Sequence, residues 1–161
     1  LFTIPGIPSI YYGSEYGLKG SRTETNDNNI RIPIPPFCDR FPDWAYPEMN
    51  LNVLLDFVMF LCGFRKASGA LKYGSLELIK NTKSFICYMR RYENEEVLVA
   101  VNIGDKSAFL NLDGVFFNEF SLQPEQYEQT EKIKKYEFKS NEIYLLSNKS
   151  LNFKTEEKNE I

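Results

Sequence analysis

"IPGIPSIYYGSEYG", residues 4–17, places three of the chain's nine glycines and two of its eight prolines around a single carboxylate, Glu15. Pro5, Gly6 and Pro8 are turn formers. Between Pro8 and Gly13 the residues are short, β-branched and aromatic, so residues 7–12, "IPSIYY", are predicted to form a buried strand. On a strand, Tyr11 and Tyr12 face opposite sides. Gly13 and Gly17 then allow sharp bends at its end. Upstream, "LFTIPG" reads as the end of an apolar helix broken at Pro5 and Gly6. Because the chain opens at Leu1 rather than Met, it is expected to be a C-terminal piece of a longer protein, with any leader lying upstream.

Residues 13–49 are dense in Gly, Asn, Asp, Ser and Pro, and include "TETNDNN" and "RIPIPPFCDRFPDW". They predict a long irregular loop, a feature that is usually functional in a compact domain. From Leu51 to Lys66 the spacing Leu51, Leu54, Leu55, Val58, Leu61, Cys62, Arg65 is helical, with Asn50 as N-cap, Arg65 and Lys66 suiting the helix dipole and Gly69 as the stop. Val53, Phe57, Phe60 and Phe64 make the other face apolar too, so this helix is expected to be covered on both sides. Past "ALKYG" the period becomes two. Segments 75–80, 84–92, 96–103, 106–112, 115–121, 134–138 and 142–147 predict seven short strands of an antiparallel sandwich, with Val97, Val99, Val101 and Ile103 on one face and Phe85, Cys87 and Met89 on one face of a neighbour. The polar tail from Asn148 is expected to fray.

One strand and one helix leave a ladder unpaired, so the first part is expected to be the last βα unit of a larger α/β body. The predicted fold class is therefore an α/β fragment followed by an all-β antiparallel sandwich: residues 1–72, residues 73–148, and a tail over 149–161.

Composition excludes several functions. Apolar residues at 43% and aromatics at 15% predict a globular core. A net charge of -3 offers no basic field for nucleic acid, and the apolar run near 53–64, interrupted by Asp56, is too short to cross a bilayer. The chain contains no histidine, so a His-based triad within it is ruled out, and with no Cys-x-x-Cys a zinc site is not expected. Cys38, Cys62 and Cys87 are odd in number and widely spaced, which predicts free thiols or small core residues and leans toward a reducing, cytoplasmic compartment.

"IPGIPSIYYGSEYGLKG" resembles the final barrel strand and following loop of the α-amylase family of glycoside hydrolases. "RIPIPPF" is similar to that family's Arg-x-Pro-x-x-Trp loop, and "FRKASGALKYG" to its Leu-Arg-Lys and Ala-Leu-Arg-x-Gly segments at the end of the last helix. The resemblance covers residues 1 to about 150 in order, nearest the cyclomaltodextrinase, neopullulanase and α-glucosidase branches. It implies the end of a (β/α)8 barrel, then a C-terminal β-sandwich. It further implies retaining hydrolysis of α-1,4 or α-1,6 glucosidic bonds, with an α-glucan oligosaccharide as partner and no cofactor in this chain; calcium could sit on loops of the longer protein. The family's nucleophile Asp, acid/base Glu and stabilising Asp lie on earlier barrel strands, so this chain carries no catalytic residue and is expected to be inactive alone. Barrel faces left bare are expected to promote self-association.

Tyr12, Glu15 and Arg31 are the candidate substrate-binding residues. Two have a structural alternative: Glu15 as acceptor for loop N–H groups or an arginine, and Arg31 as a loop anchor. Phe37 falls one residue beyond the family's Trp, after Pro36. Phe41, Trp44 and Tyr46 are candidates for sugar stacking or for pinning the loop, and Asp27, Asp39 and Asp43 for ordinary solvated carboxylates. The competing reading is a non-catalytic sandwich that binds glycans or a partner, marked by exposed coplanar aromatics on the sheets.

Overall fold

The computed structural model describes residues 1–20, 27, 30, 51–112, 117–121, 135–149 and 151. It divides into two compact units, Leu1–Ile7 with Gly63–Ile161, and Pro8–Cys62.

In the first unit, seven strands form where the alternation predicts them: β1 (Ser75–Asn81), β2 (Phe85–Tyr92), β3 (Glu95–Asn102), β4 (Ala108–Asn111), β5 (Phe117–Ser121), β6 (Lys135–Phe138) and β7 (Glu142–Ser147). Five make one sheet in the order β1-β2-β3-β7-β5, and β4 pairs with β6 in a second. All the pairs are antiparallel. The extra residue Ile79 bulges β1 between Leu78 and Lys80, which disrupts its pairing on this edge of the sheet.

Register assigns the faces. The pairs Met89 with Leu98, Cys87 with Ala100, and Leu98 with Leu146 put Phe85, Cys87, Met89, Leu98, Ala100, Tyr144 and Leu146 on one side. There they form the core with Leu112 and Phe138, and Ala108, Leu110 and Tyr136 of the small sheet pack against it. The Phe138 ring meets Tyr144 edge-on at 5.1 Å, a favoured aromatic geometry.

The opposite face is buried as well. Val97, Val99 and Leu145 on this side are fully shielded, and a short helix, α2 (Gly69–Tyr73), packs on β2 and β3. Sequence reading took Gly69 for a stop and missed this helix. Its signal was Ser68, whose side chain accepts the Leu71 N–H as N-cap.

Three expectations about the chain's first half are corrected. Residues 1–6 are not a helix end; they run without regular structure, and their carbonyls are taken by side chains rather than by N–H groups four residues on. Residues 7–12 are not a buried strand: Ile7 is 96% exposed and both tyrosines are exposed. A strand needs a ladder, none of the paired strands reaches this segment, and Pro8 has no N–H to donate. The main helix, α1 (Leu51–Ala67), is not covered all round, because Val53, Asp56 and Met59 form an exposed stripe at three-residue spacing. Asn148, read as the start of a fraying tail, is tied down: its N–H reaches the Glu96 carbonyl at 3.1 Å and its Oδ1 accepts the Glu96 N–H at 2.8 Å.

Candidate functional site

In the second unit the chain turns where the glycines stand. Gly13, with φ of 84°, and Gly17, with φ of 65°, bracket a single 3-10 turn, Ser14–Tyr16. Both angles lie in the left-handed region that favours glycine. The turn is closed by Ser14 N–H to the Tyr11 carbonyl at 3.0 Å, Gly17 N–H to the Ser14 carbonyl at 3.0 Å and Leu18 N–H to the Gly13 carbonyl at 3.0 Å. Among the described residues these backbone bonds are local.

That shape encloses a cavity of about 160 Å³ lined by Tyr11, Tyr12, Gly13, Ser14, Leu18, Lys19, Gly20 and Ile30. It is smaller than the roughly 300 Å³ at which drug-sized ligand pockets begin. Tyr11 and Tyr12 both line it, with ring centroids 4.9 Å apart and planes at 47°. The expectation that they face opposite ways is therefore overturned. The backbone leaves the extended conformation at Tyr12, and side chains alternate only while it persists.

Of the candidate residues, Tyr12 lines the cavity. Glu15 sits half-buried in the 3-10 turn beside it but is not part of its wall. Arg31 lies outside the described residues, as do Phe37, Asp39, Phe41, Asp43, Trp44 and Tyr46. Asp27 is described: it contributes its carbonyl to the Ile30 N–H at 3.0 Å, which places Ile30 on the wall. Sequence reading did not single out Lys19 or Ser14, which also line the cavity, although Ser14 directly follows Gly13.

Two tyrosines, a serine and a lysine are the polar residues of the cavity wall. It contains no pair of carboxylates, and among the described residues no three of Cys, Asp and Glu gather as a metal-binding group.

No family model matches the chain. Individual proteins do. An α-amylase of Dictyoglomus thermophilum, Alpha-amylase 2, is 32% identical over 127 residues, covering 74% of this chain and 20% of that protein. A cyclomaltodextrinase of Thermoanaerobacter pseudethanolicus is 28% identical over 147 residues, covering 91% of this chain and 22% of that one. The chain thus spans about a fifth of the length of these relatives. In fold it is similar to part of the crystal structure of an α-amylase from H. orenii, with a TM-score of 0.69 over 92% of this chain and 33% of that one, at 20% identity. The trehalulose synthase MutB from Pseudomonas mesoacidophila MX-45 matches 66% of this chain and 20% of its own, with a TM-score of 0.53 at 19% identity. Homologous over most of its length to such enzymes, the chain belongs to the α-amylase family.

Proposed function

We propose that the chain is the C-terminal part of a retaining glycoside hydrolase acting on α-1,4 or α-1,6 glucosidic bonds of starch-derived oligosaccharides, and that it is incomplete for catalysis by itself. In this reading residues 1–72 are the last βα portion of a (β/α)8 barrel, and the seven strands are the sandwich domain behind it. The observation that carries it is homology along 74% of this chain to an enzyme five times its matched length.

The cavity fits an accessory role. Retaining glycosidases place two carboxyl groups about 5 Å apart across the scissile bond. Here the nearest carboxylate in sequence, Glu15, stands off the cavity wall. Tyr12, with Tyr11, presents aromatic faces to a sugar ring, while Glu15 and Arg31 hold the loop or meet hydroxyls.

Assay of residues 1–161 on maltooligosaccharides is expected to show no hydrolysis. Hydrolysis by a clean preparation, lost on Glu15→Gln, refutes the reading. The exposed apolar residues Val53 and Met59 of α1 are proposed to promote self-association, which a monodisperse monomer in light scattering would exclude.

The competing reading, an independent glycan-binding sandwich, calls for coplanar aromatics. Tyr73 and Tyr92 are exposed with centroids 5.5 Å apart, but their planes are tilted by 53°, which gives it no support.

A further inference from the structure

Two arginines in the first unit donate, among the described residues, to main chain alone. Arg90, on β2, has no exposed surface, and Arg65, in the last turn of α1, is 8% exposed. Among the described residues neither is paired with a carboxylate. A buried guanidinium without a counter-charge is costly unless its N–H groups find acceptors. Both find them in backbone carbonyls.

Arg65 Nη1 donates to the Phe2 carbonyl at 2.7 Å and the Ile4 carbonyl at 3.1 Å, and its Nη2 to the Gly6 carbonyl. Arg90 Nη1 donates to the Thr3 carbonyl at 2.6 Å. The remaining Arg90 donors hold the end of α2 and the start of β1: Nη2 reaches the Leu71 carbonyl at 3.1 Å and the Gly74 carbonyl at 2.8 Å, and Nε the Ser75 carbonyl at 3.2 Å. Residues 2, 4 and 6 thus turn to one arginine and residue 3 to the other. The segment that presents these carbonyls is bent from Thr3 to Gly6, with Gly6 at a φ of 110°.

Side chains contribute little by comparison. Leu1 and Ile4 are exposed. The Thr3 hydroxyl meets the Tyr88 hydroxyl at 2.6 Å, and Phe2 alone in this segment is buried.

We propose that Arg65 and Arg90 form a binding site for a bent peptide segment, occupied here by residues 1–6, which reads the register of its carbonyls rather than the identity of its exposed side chains. The fork of an arginine, with five N–H donors in one plane, suits this task and an ammonium does not. The site makes the sheet dependent on its strap. Strands 75–149 excised alone would leave Arg90 without the Thr3, Leu71 and Gly74 carbonyls. It goes beyond the glucan reading and does not rest on it.

The test is carbonyl carbon NMR on the full 161-residue chain, labelled with carbon-13 and nitrogen-15. In the unaltered chain the Phe2, Thr3, Ile4 and Gly6 carbonyl signals are expected away from their denatured-chain positions. Arg65→Lys is expected to return Phe2, Ile4 and Gly6 toward those positions and leave Thr3 in place. Arg90→Lys moves Thr3 first, and should that variant unfold, Arg65→Lys still decides. Ile4→Ala and Leu1→Ala are expected to leave the other carbonyls unmoved. The proposal is overturned if the four signals in the unaltered chain match the denatured ones, if Arg65→Lys moves none or all four alike, or if Ile4→Ala releases the segment.

Discussion

The carboxylate of Glu95, on β3, caps the helix that begins after Ser68: it accepts the Ser68 hydroxyl through one oxygen and the Gly69 N–H through the other at 3.0 Å. Ser68 in turn accepts the Leu71 N–H at 3.0 Å. A five-residue helix is too short to hold itself, so its stability comes from this cap and from packing. Ser68→Ala and Glu95→Ala are each expected to lower unfolding free energy by about 1–2 kcal/mol. The double variant should cost less than the sum, since the two groups share one network. Urea unfolding of the four chains measures both effects.

Gly74 is required for space. Its φ is -71°, open to any residue, but a Cβ there would lie 2.3 Å from the Ala70 carbonyl oxygen and 2.6 Å from that of Arg91. Both obstacles are backbone, so Gly74→Ala is expected to destabilise by about 1–3 kcal/mol. Gly104 supplies the contrast, because its added Cβ would meet the Ser84 hydroxyl at 2.9 Å, and an exposed side chain can turn aside. Gly104→Ala should cost less than Gly74→Ala in the same thermal melts.

Glu142 is 2% exposed, and among the described residues neither carboxylate oxygen has a hydrogen-bond partner. It pairs with Asn102 at the end of the main sheet, whose own amide is occupied by the Lys106 and Phe138 carbonyls and the Gly104 N–H. Burying an unpaired carboxylate opposes folding. Glu142→Leu is expected to raise the urea midpoint at neutral pH, corresponding to about 1–3 kcal/mol. A lower midpoint would mean that the carboxylate has a partner after all.

Burial pushes the Cys87 thiol up to about 12 from 9.0. Burial also raises Tyr88, against the smaller pull of its bond to Thr3. For an acid raised in the folded state, the unfolded chain gives up its proton first as pH rises. The contribution of Cys87 and Tyr88 to folding stability is therefore expected to be flat below pH 9 and to fall from pH 9 toward 12. In native chain at pH 8, Cys87 should resist a thiol reagent until the protein is unfolded, whereas half-buried Cys62 reacts sooner.

The strands were legible because period-two alternation is local and the sheet honours it. Phe85, Cys87 and Met89 share a face, as do Val97 and Val99, because the β2–β3 and β3–β7 ladders run without a register shift. "IPSIYY" has the same composition yet forms no strand, since pairing is a property of neighbours and not of the segment. Nothing in "FICYMRRY" marks Arg90 as buried; its burial follows from the carbonyls of Thr3, Leu71 and Gly74, which only the fold brings to it. Arg65 was read as a cation suited to a helix end, while its partners are residues 59 to 63 positions earlier. At the cavity, the glycines were legible through their backbone angles, but the joint orientation of Tyr11 and Tyr12 was not, because it depends on where the chain leaves extension.

The most direct test of the functional account is the coding sequence immediately upstream of Leu1. The account predicts an open frame encoding a parallel barrel, with an Asp nucleophile and a Glu acid/base on strands that precede this segment. A start codon within a few residues of Leu1 would contradict it and leave the chain as a module without a catalytic centre.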